Sequence, residues 1–247
     1  MIKGLYLSAY GMIPRMNQQN NIANNLANVS THGYKKTNMF LRQLITADNA
    51  LDHALGAGRS QVSEDPRIEY SQGSFDRTEN VYDLALNGPG FFRLRDTAGN
   101  MLYTRNGRFY LDNNGFMTNN EGMHLLSDRY NLIRIQGGEV LIYGNGEIVV
   151  DGEVTDTIGL ADFAPTDYEL LAGTGKQQFL KPAAVNEIRP SASTIFMQGY
   201  LEESNVDPIT TMVEMIDVFR MYELGQKSIQ IQDQTLQRVV TEVGVVR

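Results

Sequence analysis

Histidine occurs three times, at positions 32, 53 and 124, and no two have the HxH or HExxH spacing that places paired ligands on one metal ion. They read as surface or loop residues. Gly88-Pro89-Gly90 has two of the glycines of a phosphate-binding loop, but no third follows at the required place and strand-forming residues surround it. A turn at the entry to a strand explains it better. Gly56-Ala57-Gly58-Arg59-Ser60 lacks both the phosphate-loop spacing and its lysine, and reads as a flexible connection. There is no G-x-S-x-G nucleophile elbow. Asp83, Asp96 and Asp112 stand in turn-like contexts. A glycan-cleaving enzyme needs two carboxyl groups about 5–10 Å apart, and nothing in the sequence pairs these three. With no cysteine, the chain has no disulfide, thiolate ligand or thiol nucleophile. No catalytic, cofactor-binding or metal-binding set is therefore expected.

The 247 residues carry 29 acidic and 21 basic side chains, a net charge of −8. That balance argues against a nucleic-acid partner, which requires a clustered basic surface. The N-terminus lacks the basic and apolar regions of a cleaved secretory signal. No segment approaches the roughly 20 apolar residues that span a bilayer, so no membrane span is expected. The absence of cysteine suits a protein that leaves the reducing cytoplasm.

Two stretches have helical periodicity. Near the N-terminus Leu5, Ala9, Met12, Met16, Ala23 and Leu26 recur in steps of four and three, interrupted by Gln19 and widened by Ile22 and Val29. This spacing predicts a narrow apolar seam of the coiled-coil kind. Gly33 is the expected stop, and Pro14 predicts a kink or a restart. Asn17, Asn21, Asn24 and Asn28 line a second stripe, with Asn20 and Asn25 beside it. Asparagine is a poor helix former, so this helix needs a partner. Toward the C-terminus Asp207-Pro208 is a strong start signal. Val213, Ile216, Phe219, Tyr222, Ile229, Leu236 and Val240 follow at helical spacing. A helix over 207–243 would be about 55 Å long at 1.5 Å per residue.

Between the helices, short runs of Val, Ile, Tyr and Phe alternate with Asn-Gly turns at 87–88, 106–107, 114–115 and 145–146. Asn106-Gly107, between Tyr103-Thr104-Arg105 and Arg108-Phe109-Tyr110, has the form of a tight hairpin. Residues 75–200 are expected to form an antiparallel all-β region.

The run Ile22-Ala23-Asn24-Asn25-Leu26-Ala27-Asn28-Val29-Ser30-Thr31, followed by Gly33-Tyr34-Lys35, resembles the N-terminal signature of flagellar rod and hook proteins. Ser204-Asn205-Val206-Asp207, then Met212-Val213-Glu214-Met215-Ile216, Tyr222-Glu223 and Lys227, is similar to their C-terminal signature. Leu84-Ala85-Leu86-Asn87-Gly88-Pro89-Gly90-Phe91-Phe92 and Tyr103-Thr104-Arg105-Asn106-Gly107 resemble their central segment. The resemblance implies an α+β fold. By the same resemblance both termini, 1–33 with 205–247, would form a helical coiled-coil inner layer around an axial channel, joined through an extended connection at 34–74 to an antiparallel β-rich outer domain at 75–204. It also implies a structural rod subunit rather than an enzyme, located in the basal body and exported by the flagellar type III apparatus without a cleaved signal peptide. Its partners would be other copies of itself and neighbouring rod proteins. The implied subunit interface comprises Leu5, Met12, Met16, Ile22, Ala23, Asn24, Asn25, Leu26, Asn28, Val29, Val213, Ile216, Phe219, Tyr222, Ile229, Leu236 and Val240. The short 30–80 connection and the chain length are similar to the proximal-rod members, while Met212 to Glu223 is as similar to the distal-rod members. A glycan-cleaving, rod-associated enzyme is the alternative from another class.

Overall fold

Turn chemistry sets the strand pairing of the middle region. The computed structural model describes residues 2–44, 61–174, 177–188 and 193–244. Asp112-Asn113-Asn114-Gly115 closes the hairpin between β7 (Tyr110–Leu111) and β8 (Met117–Thr118). The Asp112 carboxylate accepts the N–H groups of Asn114 and Phe116, both at 2.8 Å, and Gly115 adopts φ +81°. Asn145-Gly146 likewise turns β10 (Val140–Ile142) into β11 (Glu147–Val150), with Gly146 at φ +88°. These are positions where glycine reaches left-handed backbone without steric cost.

Every described strand pair is antiparallel. The main sheet runs β14-β15-β6-β5-β9-β8-β7, with β13 (Leu160–Ala161) also paired to β5. In it β5 (Phe91–Arg95) and β6 (Met101–Thr104) are central, flanked by β9 (His124–Leu125) and by β15 (Gln178–Leu180) with β14 (Ala172–Gly173). A three-stranded sheet joins β10, β11 and β12 (Glu153–Thr157). Two late strands return to early ones: β16 (Ile195–Gln198) pairs with β4 (Leu84–Asn87), and β17 (Tyr200–Glu202) with β3 (Phe75–Arg77). Inside, Leu84, Leu86, Phe92, Leu94, Phe109, Met117, Ile148 and Phe196 form one buried core. Phe91, Tyr70, Phe163, Tyr168 and Phe179 form an aromatic cluster with centroids 5.0–6.2 Å apart. Edge-on and tilted ring contacts of this kind add to the apolar area they bury.

The chain divides into two compact units: residues 28–36 with 69–206, which hold this β-structure, and residues 1–27, 37–68 and 207–247. The second unit holds α1 (Ile2–Ala27), α2 (Pro208–Gly244) and the antiparallel ribbon of β1 (Thr37–Leu44) with β2 (Gln61–Ile68). The stretch 34–74, expected as an extended connection, therefore contains two strands and is shared between the units. Asp207 caps α2 as anticipated, its carboxylate accepting the Ile209 N–H at 3.1 Å. The helix α1 runs unbroken through Pro14.

Two local expectations need correction. The helix α1 ends at Ala27, six residues before Gly33, where the Thr31 N–H turns back to the Asn28 carbonyl at 3.1 Å. Gly33 serves the β unit instead: at φ +71° its N–H donates to the Glu202 carbonyl at 2.7 Å, and a Cβ there would meet the Asn106 backbone at 2.4 Å. Nor is Asn106-Gly107 a two-residue hairpin, since β6 and β7 do not pair. Asn106 accepts the Arg108 N–H at 3.1 Å, and the Gly107 carbonyl accepts the Leu84 N–H at 2.9 Å. Glycine is required there for close approach, because a Cβ would lie 1.6 Å from the Leu84 oxygen. Gly107→Val should therefore cost more than about 3 kcal/mol of unfolding free energy and abolish cooperative melting of the β unit. Thermal denaturation checks this, and an unchanged melting temperature would refute the assignment.

Candidate assembly surface and buried charge cluster

The residue types that suggested chemistry occupy ordinary structural places. His32 lies 3.8 Å from Asp76, and His124 packs edge-on to Phe116 with its Nδ1 buried and unbonded. His53 and residues 56–60 fall outside the described residues. Gly88-Pro89-Gly90 is the turn from β4 into β5, with both glycines at positive φ. Asp83 is buried and accepts the Asn80 amide at 3.1 Å, while Asp96 accepts the Thr97 N–H at 2.6 Å. Asp112 is held below the ordinary carboxylate range chiefly by the Phe116 N–H and further by that of Asn114. Each carboxylate thus serves its own turn. No group of three or more metal-ligating side chains occurs among the described residues. A cleft of about 600 Å³ near Tyr82 carries Glu79 and Glu139, but Glu79 is exposed and paired to Arg77 at 3.3 Å.

One cluster of charges is buried in the β unit. The Glu202 carboxylate accepts Lys35 Nζ at 2.6 Å, Arg105 Nη1 at 3.3 Å and the Gly73 N–H at 3.1 Å. All three charged side chains are buried. Lys35 Nζ also donates to the Ser71 carbonyl at 2.7 Å, and Arg105 Nη2 to that of Gly88 at 2.8 Å. Burial pushes the Lys35 amine below its ordinary value, and the Glu202 charge opposes that shift. Lys35 and Arg105 come from the separate motifs at 33–35 and 103–107, while Glu202 lies two residues before the motif at 204–207 and outside it. Nothing in the sequence signals that the three meet.

In the helical unit α1 packs along α2. Along α2 the half-buried or buried positions Thr211, Met215, Val218, Tyr222, Gly225, Ile229, Gln232 and Leu236 recur in alternating steps of four and three, with half-buried Glu214 and Ser228 beside them. Gly225 admits Met12, whose Cγ a Cβ would meet at 2.9 Å. On α1 the corresponding series is Met12, Arg15, Gln19, Ile22 and Leu26. Of the expected interface residues, Tyr222, Ile229, Leu236, Met12, Ile22 and Leu26 thus lie on the sheltered faces. By contrast Val213, Ile216 and Phe219 are 54%, 52% and 46% exposed on the opposite side of α2, together with Ile209 and Met212. Met16, Ala23 and Asn24 are exposed on α1, and Asn28 and Val29 are half-buried beyond its end. The side chains of Leu5 and Val240 fall outside the described residues. The sequence showed one seam where α2 has two apolar faces, because periodicity alone does not tell an inward face from an outward one.

Asparagines 21 and 25 bind the chain to itself. The Asn25 amide donates to the Thr37 carbonyl at 2.8 Å and accepts the Thr37 N–H at 3.0 Å, while the Asn21 amide donates to the same carbonyl at 2.7 Å. Asn25 is thereby buried within the unit.

A family model described as flagella basal body rod protein matches residues 5–35, one for the flagellar hook protein FlgE/F/G D1 domain matches 85–158, and one for the flagellar basal body rod FlgEFG protein C-terminal region matches 197–242. The chain is 30% identical to the flagellar basal-body rod protein FlgG of Buchnera aphidicola subsp. Schizaphis graminum, over 97% of this chain and 99% of that one. It is 29% identical to FlgG of Bacillus subtilis over 97% and 98%, and 29% identical to FlgF of Caulobacter vibrioides over 90% of each. The chain belongs to the flagellar basal-body rod protein family. It is a structural protein of the basal body rather than an enzyme, and the comparisons lend no support to the glycan-cleaving alternative. No described helix is long and apolar enough to cross a membrane.

Replacing Asn25 by Ala should leave the Thr37 N–H without its partner and the Thr37 carbonyl with Asn21 alone, and destabilise the helical unit by about 1–3 kcal/mol. The same change at exposed Asn20 should cost almost nothing or slightly favour the helix. Thermal melts of the two variants side by side test this, and equal melting temperatures would contradict the intrachain role.

Proposed function

We propose that the chain polymerises through its terminal helices into the helical drive shaft of the flagellum, which transmits torque and encloses the export channel. On this reading the terminal helices form a coiled-coil inner domain, the β unit is the outer domain, and the subunit reaches its site through the flagellar type III apparatus without a cleaved signal peptide. One observation carries the reading: α2 keeps a row of large apolar side chains, Ile209, Met212, Val213, Ile216 and Phe219, in solvent on the side away from its sheltered seam. A soluble helix normally has one apolar face, and a contiguous exposed patch of this kind marks an interaction site. Copies of the chain and neighbouring rod proteins are the partners that the family supplies. Within the rod we favour the proximal, FlgF-type position, because the connection between the N-terminal helix and the β region is short. The distal, FlgG-type position is the second reading, favoured by relatives of that name at 30% and 31% identity.

Ile216→Asp places a charge in the middle of the exposed row. The isolated subunit should keep its circular dichroism and change in stability by no more than about 0.5 kcal/mol, while rod incorporation and motility are lost. Normal swimming by cells carrying this variant would sink the proposal.

A further inference from the structure

Glu202 is separated from Lys35 by 167 residues and from Arg105 by 97. Around it three short segments are laced together. The Glu69 N–H donates to the Lys36 carbonyl at 2.8 Å, the Lys36 N–H to Asn205 Oδ1 at 2.6 Å, and the Asn205 amide to the Glu69 carbonyl at 2.8 Å. The Gly33 and Gly73 N–H groups are both satisfied by Glu202 itself, through its carbonyl and its carboxylate. Until residue 202 is in place, closing the β unit would bury the Lys35 ammonium and the Arg105 guanidinium with no anion beside them. Breaking a buried pair by removing one partner is far more damaging than never having had the pair. The late strands compound the effect, since β3 and β4 have β17 and β16 as their partners.

We propose that Glu202 is a completion lock: the β unit becomes stable as one body only when the chain through residue 206 is present, so a chain delivered N-terminus first stays open until its C-terminal part arrives. Every chain is delivered this way during synthesis. If the rod reading is right, the same property keeps the leading 201 residues in a threadable state through an export channel. The lock itself does not rest on that reading, and its test is independent of assembly.

A lock and a local clip differ in how far their opening spreads. Hydrogen exchange on the full-length chain at single-amide resolution separates them, comparing Gly33, Lys36 and Gly73 at the cluster with Leu84 and Leu126. The latter two are buried core residues whose N–H groups bond to Gly107 and Arg93 carbonyls. In the wild type all five should exchange through one opening, at protection factors within about tenfold of each other. In Glu202→Gln all five should accelerate together, by on the order of a hundredfold or more. If Glu202→Gln yields no folded protein, Glu202→Asp, which keeps the charge but draws it back from both cations, supplies the same comparison with parallel acceleration expected. Acceleration confined to Gly33, Lys36 and Gly73 in the folded variant would overturn the proposal. So would wild-type cluster amides that exchange orders of magnitude faster than the core.

Discussion

The neutralisation of two buried cations by one carboxylate is the constraint on which the β unit depends. Lys35 and Arg105 cannot be solvated where they stand, and Glu202 supplies the only acidic side chain hydrogen-bonded to either among the described residues. A buried ion pair is weak support for stability in the abstract, since well-packed apolar residues would do as well. Its distinctive effect is specificity. A carboxylate that accepts from two side chains and a backbone N–H fits only one register of the chain. That register brings the segment after α1, the Arg105 turn and the segment before α2 to a single point. Gly33 belongs to the same convergence, lying so close to the backbone of Arg105 and Asn106 that no side chain fits.

Local chemistry was legible in the sequence and long-range chemistry was not. Asp207-Pro208 announced the start of α2 because a cap acts within four residues. Asn114-Gly115 and Asn145-Gly146 announced turns because the turn itself demands their backbone angles. Asn106-Gly107 has the same letters and a different cause. Its glycine answers to Leu84, more than twenty residues away in sequence, and no local signal carries that. Nothing in the sequence around Lys35 accounts for its charge, because the reason stands at residue 202.

The helices show the same division. Steps of four and three correctly marked both termini as helical, yet on α2 they merged two faces into one. Tyr222, Ile229 and Leu236 belong to the sheltered side and Val213, Ile216 and Phe219 to the open side. On α1 the asparagines divide in the same way. Asn21 and Asn25 hold the start of β1, where their amides complete backbone groups that would otherwise lie unpaired. A helix too rich in asparagine to be stable alone is thus held by bonds within its own chain, as well as by packing along α2.

The open face of α2 is a liability for a free subunit and an asset for one that assembles. The chain has no cysteine, so a single introduced thiol reports on one place. The most direct test is the reactivity of Val213→Cys and Phe219→Cys toward a maleimide, measured on purified subunit and on isolated basal bodies. Both thiols should label rapidly in the free subunit and be strongly protected in the assembled rod. Equal labelling in the two states would contradict assembly through this face.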